Sequence, residues 1–300
     1  MKTVMSKKGL PLFSKLDSYR YLYNGYREKG FADAKKTIMH HNRLSGYLDK
    51  YVGISVGKAR ILDIGCGQLA KQVALFHAGG ARVTGIDIDV PTYTMTSSIL
   101  LKIIKVNGLE RAVKSLFRYF LFDKKFFREL SKEYGKHIEF NNLDTRIMDA
   151  TEMTFESNSF DFIFSNVVFQ HIDNLEGAVK EVNRVLKPSG IAAVHIHLFP
   201  SISGGICLDW LHPDQAPSSR VPPWDHLREN KYPVNIHLNK LKINEYREIF
   251  RTYMEVVEEQ TTTEGEKFLT EAIESQLKTR GFVREDLLTR TVMFFSRKKE

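Results

Sequence analysis

The sequence predicts an α/β fold: a doubly wound, mostly parallel seven-stranded sheet with helices on both faces and a helical N-terminal cap. Three observations predict it. Short apolar runs alternate with stretches of helical periodicity along most of the chain. The run Ala59-Arg60-Ile61-Leu62-Asp63-Ile64 leads into a glycine turn, a helix over Gln68 to Ala78 and a second run at Arg82 to Asp87, which is a β-α-β unit whose crossover length requires parallel strands. The pattern then repeats and ends on an apolar strand at Thr289 to Ser296.

The elements follow in order. Residues 1–57 read as a lead-in or cap, since Leu44, Tyr47, Leu48 and Tyr51 share one helical face. Residues 58–300 read as one domain with two insertions. The first, 90–136, carries helical pieces at Tyr93 to Val106 and Ala112 to Glu133, the second with a phenylalanine-heavy face that suits core packing or a substrate-covering lid. Further strands are expected at Ile138 to Asn142, Phe160 to Phe164 and Ile191 to His197. A helix at Leu175 to Leu186 links the last two and is stopped by a turn at Lys187-Pro188-Ser189-Gly190. The second insertion, 200–240, is rich in Pro, Gly, Ser, His and Trp and reads as an irregular substrate loop. A helix at Asn244 to Phe250, a strand at Tyr253 to Glu259 and a helix at Lys267 to Thr279 precede the final strand.

Composition narrows the function. A chain of 300 residues, 42% hydrophobic with nine prolines, can bury a proper core. No window of eighteen apolar residues occurs, and the first sixteen residues lack a signal-like apolar run, so a cytoplasmic protein without a membrane span is expected. Two cysteines, Cys66 and Cys207, fit neither a disulfide framework nor a zinc spacing. The net charge of +8 is spread in small clusters, which argues against a nucleic-acid partner and against an anionic membrane surface, and leaves an acidic substrate open. Oligomeric state is not legible.

The turn Gly65-Cys66-Gly67-Gln68-Leu69-Ala70 places two glycines where backbone must turn sharply beside a ligand, just before a helix. It also satisfies the nicotinamide fingerprint, and Asp87, twenty residues after Gly67, could accept from the ribose hydroxyls of either cofactor. Asp63 discriminates, because a dinucleotide enzyme has an aliphatic residue there. Leu62-Asp63-Ile64-Gly65-Cys66-Gly67 resembles the first motif of the class I S-adenosylmethionine-dependent methyltransferases, and Gly85-Ile86-Asp87-Ile88-Asp89 resembles their second. Met148-Asp149-Ala150 is similar to the third, and Phe160 to Asn166 with Leu186 to Gly190 completes the order.

That resemblance covers about Arg60 to His197, and implies S-adenosyl-L-methionine as cofactor. It implies that Gly65 and Gly67 pack under the cofactor's amino-acid part, with Asp63 near its ammonium. Asp87 would hold the ribose, Ile88 would press on the adenine, and Asp149 with the Ala150 amide would read the adenine edge. Ser165, at the end of its strand, joins this cofactor set.

On the acceptor side, the chemistry of an open α/β sheet lies beyond the carboxyl ends of the strands. His171 and His197 are the candidate proton acceptors there. Ser165-Asn166-Val167-Val168 lacks the double proline of base-modifying amino methyltransferases, so a nucleic-acid base is a poor expectation. His195 and His197 share one side of their strand, but no third ligand has metal spacing, so no metal is expected. Trp224, Asp225, His226 and Arg228 form an aromatic and charged group suited to binding a sugar or other polyhydroxyl acceptor. Scaffolding of the loop is the alternative. The reading is O-methylation of a small molecule or glycan hydroxyl. N-methylation of a small amine, a NAD-dependent oxidoreductase and a non-catalytic or RNA-binding protein are the rivals.

Overall fold

A computed structural model describes Tyr23, Arg27, residues 33–234 and residues 236–300. Seven strands form one sheet: β1 (Arg60–Ile64), β2 (Arg82–Asp87), β3 (Asp144–Ile147), β4 (Phe160–Asn166), β5 (Leu186–His197), β6 (Met254–Thr263) and β7 (Thr289–Lys298). Their order is β3-β2-β1-β4-β5-β7-β6. The first five run parallel and β7 is antiparallel to both its neighbours. The order reverses between β1 and β4, so a crevice opens at the carboxyl ends of β1, β2 and β4.

Strand periodicity distributes the core over both faces of the sheet. Ile61, Phe162, Phe164, Ala193 and Phe295 face α1 (Ala34–Val52) and α2 (Lys71–Ala78). Leu62, Ile163, Val194 and Phe294 face α6 (Leu175–Val185) and α7 (Ile243–Tyr253). Asp33 caps α1 by accepting from the Lys36 amide at 3.1 Å, and Gly53 ends it at φ +72°. Leu44 and Leu48 are buried, and Tyr47 and Tyr51 each lie 4.7 Å from the Phe295 ring. The cap helix therefore shares its core with the sheet. The part of the expected lead-in before Asp33, Tyr23 and Arg27 aside, lies outside the described residues.

The first insertion folds as α3 (Ser97–Asn107), α4 (Leu109–Arg118), a π-helical turn at Tyr119–Asp123 and α5 (Lys124–Tyr134). The π turn rotates the apolar stripe, so Phe126, Phe127 and Leu130 of α5 enter the main core while the stripe of α4 does not. The second insertion is irregular, with 3-10 turns at Leu208–Trp210 and Asp225–Leu227. It owns a separate core of Ile202, Trp210, Val221, Trp224 and Leu227 that also takes in Leu277 of α8 (Glu271–Lys278) and Leu287 of α9 (Arg284–Leu288).

Three expectations are corrected. The strand expected at Ile138 to Asn142 lies at Asp144–Ile147. β3 is an edge strand whose side chains are largely exposed, so it needs no apolar run, and Thr84 fixes it by donating to Asp144 at 2.7 Å. Ile138 is instead a buried plug in the core. The turn expected at Lys187 to Gly190 is part of β5: Leu186 pairs with Phe160 and Ile191 with Phe162, so those residues bulge within the strand, and α6 ends at Val185. The helix expected from Lys267 begins only at Glu271, where Thr270 caps it, after a 3-10 turn at Glu266–Phe268.

Candidate cofactor and acceptor site

Two clefts meet at Gly65. The first, about 380 Å³, is lined by Asp63, Gly65, Gly67, Lys71, His40 and Asn166 among others. The second, about 340 Å³, is lined by Gly65, Asp87, Ile88, Asp149, Ala150 and His171 among others. The turn between β1 and α2 builds the junction. Gly65 (φ +77°) and Cys66 both donate to the Ile86 carbonyl, at 2.8 and 3.1 Å, which pins the turn on β2. Gly67 (φ +68°) donates to Asp87 at 2.9 Å.

The two glycines serve different ends. A Cβ on Gly65 would clash with a Val168 methyl, whereas one on Gly67 would meet nothing within 4 Å. Gly65 lets the chain after β4 close over the loop. Gly67 leaves a cradle open.

Asp87 uses one oxygen on the Gly67 amide and the other on the Asp89 amide, at 2.9 Å each. Each oxygen keeps a lone pair for a further donor. Burial holds this carboxyl above its ordinary value despite those amides. Asp63 is 4% exposed and has no hydrogen-bond partner among the described residues. Burial, then the nearby charge of Asp87, push its carboxyl well above the carboxylate range. An isolated buried carboxylate of this kind is costly, and a cation in the first cleft would relieve it. Lys71 at the start of α2 and Lys36 of α1 line the same cleft. They can face an anionic group, and burial lowers Lys71 from its ordinary value.

In the second cleft Ile88 is an apolar plate, 73% exposed. Asp149 accepts from the Thr151 amide and hydroxyl, both at 2.8 Å and both through Oδ1, which leaves Oδ2 free. Met148, Val168 and Ile172 complete the apolar wall. Ser165 is not in either lining: buried at 2% exposure, it donates to the Ile64 carbonyl at 2.9 Å and ties β4 to β1.

The histidines separate. His171 lies in the second cleft, with Nδ1 on the His237 carbonyl at 2.7 Å. His197 lines neither cleft. Its Nε2 meets the Ser203 hydroxyl at 2.8 Å, Ser203 donates to Glu264, and Glu264 pairs with Arg290. The first cleft instead holds His40 and Asn166, and Asn166 Oδ1 is 2.9 Å from His195 Nδ1. Burial holds His40, His195 and His197 at about 4, so all three are neutral near pH 7.

The loop group turns inward, and none of its four side chains lines either cleft. Trp224 is fully buried and donates to the Pro200 carbonyl at 3.2 Å. Asp225 accepts from the Lys231 and Tyr232 amides at 3.2 and 2.9 Å. His226 reaches the Phe199 carbonyl at 2.9 Å, and Arg228 donates to Gln276 at 2.7 Å. Each fixes the loop to its own core, for the physical reason that Trp and a buried acid need internal partners once the loop has a core.

Sequence reasoning missed His40, Lys36, Lys71, Val168 and the acceptor-side placement of Asn166. Lys71 and Val168 flank motifs and were findable. His40 comes from the cap, where no motif signals it. Val167 adopts φ +60°, a strained value for a β-branched residue, and its amide donates to the His195 carbonyl at 2.8 Å. That turn brings Asn166 and Val168 to opposite clefts. Both cysteines are free, and burial pushes both thiols up, so neither is an activated nucleophile. Among the described residues no helix is long and apolar enough to cross a membrane.

The strand order and the ordered loops at Gly65, Asp87 and Asp149 are similar to those of the class I S-adenosylmethionine-dependent methyltransferases. Comparison with known proteins agrees: a family model described as a methyltransferase domain matches residues 120–194. The chain is 40% identical over 144 residues to a demethylmenaquinone methyltransferase of Staphylococcus haemolyticus, a match covering 47% of this chain and 44% of that one. It is 27% identical over 160 residues to a sterol 24-C-methyltransferase of Gibberella zeae, covering 52% and 32%. The chain thus spans less than half the length of these curated relatives. Among solved structures, the PH0226 protein from Pyrococcus horikoshii aligns over 90% of this chain and 96% of its own, at 18% identity and a TM-score of 0.48.

Proposed function

We propose that this chain transfers the methyl group of S-adenosylmethionine to a hydroxyl of a small molecule. The observation that carries the reading is the pair of carboxylates on either side of Gly65: a buried Asp63, without a hydrogen-bond partner among the described residues, in one cleft and an amide-anchored Asp87 in the other. In this reading Asp63 faces the cofactor's ammonium, and Lys71 and Lys36 face its carboxylate. Asp87 accepts from the ribose hydroxyls. Ile88, Met148 and Ile172 enclose the adenine, and the free Oδ2 of Asp149 with the Ala150 amide reads its edge. When bound, the cofactor supplies an electrophilic methyl carbon on a sulfonium.

The chain's own residues then position the acceptor in the first cleft for in-line attack. Asn166, its amide oriented by His195, is placed to hold the acceptor's polar group. His40 is the candidate proton acceptor, because it lines the first cleft and its buried Nε2 has no hydrogen-bond partner among the described residues. An imidazole held at about 4 accepts protons from phenolic or enolic hydroxyls far more readily than from sugar hydroxyls. With Trp224, Asp225, His226 and Arg228 turned inward, the glycan reading loses its support, and an acidic hydroxyl is the better acceptor class.

Carbon methylation is the second reading. It is favoured by the similarity to a protein named as a sterol 24-C-methyltransferase, and an enolic or phenolic acceptor also serves it. The test is incubation with cofactor carrying a ¹³C methyl group and a panel of phenols, enols, amines and sugars. A methyl resonance at an oxygen-bound shift in phenol or enol products supports the proposal. A carbon-bound shift moves the chemistry to the second reading, and methylated amines alone would overturn both.

A further inference from the structure

We infer that the α4 face is a docking surface for an anionic lipid membrane, independent of the methyl-transfer reading. On α4, Leu109, Val113 and Phe117 recur every fourth residue and form one stripe, which Leu121 of the π turn extends. These side chains are not buried. Leu109, Phe117 and Leu121 are each at least 60% exposed, and Phe120 beside them is 57% exposed. The inner side of α4 holds only Ala112 and Ser115 buried, and Ala112 joins a small cluster with Val90 and Ile103. The stripe thus points away from the core that α4 shares with α3.

Together with Phe122 and Tyr23, the stripe lines a groove of about 820 Å³, large enough for the end of an apolar chain. A contiguous exposed apolar face of this kind marks an interaction surface.

Charge selects the occupant. Between Ser97 and Tyr134 the chain carries nine Lys and Arg against four Asp and Glu, over half of the molecule's net positive charge in one insertion. Lys124 stands 4.5 Å from the Phe120 ring centroid, so basic heads and apolar bodies are interleaved on the surface. A helix face of leucine, valine and phenylalanine with Lys124 and Lys125 following it in the chain suits the headgroup boundary of an anionic bilayer, where apolar insertion and phosphate attraction add.

The same insertion grips the cofactor loop. Arg111 pairs with Asp89 at 3.1 Å, Asn107 donates to Asp89 at 2.9 Å, and Arg118 donates to Gln68 at 2.7 Å and to Thr92. A membrane seated on α4 therefore lies one helix away from Asp87 and the glycine turn, so the surface would hold the clefts close to acceptors dissolved in lipid.

The test is flotation of the full chain with vesicles of phosphatidylcholine alone, and of phosphatidylcholine with about one third phosphatidylglycerol. Binding to the anionic vesicles, weak binding to the neutral ones and release by raised salt are expected. Phe117→Asp combined with Leu121→Asp, and separately Lys124→Glu with Lys125→Glu, should each lower anionic-vesicle binding about tenfold. Circular dichroism and thermal melting of the variants serve as the check on folding. Absence of binding to anionic vesicles, equal binding by folded variants, or a wild-type dimer in sedimentation that the Phe117 and Leu121 changes dissociate would overturn the proposal, the last by assigning the face to a second copy of the chain.

Discussion

Asp63→Asn separates ligand binding from folding at one atom. In the free protein Asp63 is a buried carboxylate without a hydrogen-bond partner among the described residues, beside a second carboxylate, and its raised value means that the folded state resists ionising it. The sign follows: a carboxyl raised in the folded state favours folding below the ordinary carboxylate value and loses that contribution as pH rises through the raised one. At pH 7.5, far above the ordinary carboxylate value, this raised carboxyl is therefore a net cost to the unliganded fold, and the neutral, nearly isosteric amide removes it. Thermal melting of Asp63→Asn without ligand should occur at or above the wild-type temperature. Binding moves the other way. A charge-assisted hydrogen bond contributes about 1.5–3 kcal/mol, so loss of the carboxylate should weaken S-adenosylhomocysteine by about 10- to 150-fold in calorimetric titration. Wild-type affinity should also rise with pH through the Asp63 transition, a slope the amide variant lacks. Unchanged affinity in the variant, or a lower unliganded melting temperature with normal binding, would refute the assignment of Asp63 to the cofactor's ammonium.

Four further outcomes follow from the geometry. Gly65→Ala places a Cβ against Val168 at a positive φ and should cost about 1–3 kcal/mol of stability by denaturant melts, whereas Gly67→Ala, with open space around it, should lose more in cofactor affinity than in stability. Asp87→Ala releases the Gly67 and Asp89 amides and should lower S-adenosylhomocysteine affinity at least tenfold, by about 1.4 kcal/mol or more. Trp224→Ala should destabilise by about 3–5 kcal/mol yet leave cofactor affinity unchanged, since its ring fills the loop core and not a cleft. His40, His41, His195, His197 and His226 are all held at about 4 against an ordinary 6.5. Between those values the unfolded chain binds more protons than the folded one, so the melting temperature should fall steadily as pH drops from 6.5 toward 4 and stay level in this respect above 7.

The parts of the fold legible in the sequence were those that buried strands and sharp turns must advertise. Arg60–Ile64 and Phe160–Asn166 are central strands buried on both faces, so apolar runs reveal them. The glycine turn is legible because positive φ at a close approach, as at Gly65 beside Val168, favours glycine. β3 escaped because an edge strand of Asp, Thr, Arg and Ile carries no apolar signal. On the cofactor side, Asp63, Gly65, Gly67, Asp87, Ile88, Asp149 and Ala150 line the two clefts, since each is tied to a local motif. The further residues of the first cleft come together only through tertiary packing. His40 is contributed by the cap, 23 residues before Asp63, and His195 reaches the cleft through Asn166 rather than directly. Trp224 and His226 looked like ligand-binding groups because Trp and His in a proline-rich loop carry the same pattern whether they face a ligand or the loop's own core.

The central claim is that the two clefts meeting at Gly65 hold S-adenosylmethionine. Calorimetric titration of the wild-type chain with S-adenosylhomocysteine and, separately, with NAD tests it most directly. One-to-one binding of S-adenosylhomocysteine in about the micromolar range, near 8 kcal/mol, with no heat from NAD is predicted; binding of NAD without S-adenosylhomocysteine would contradict it.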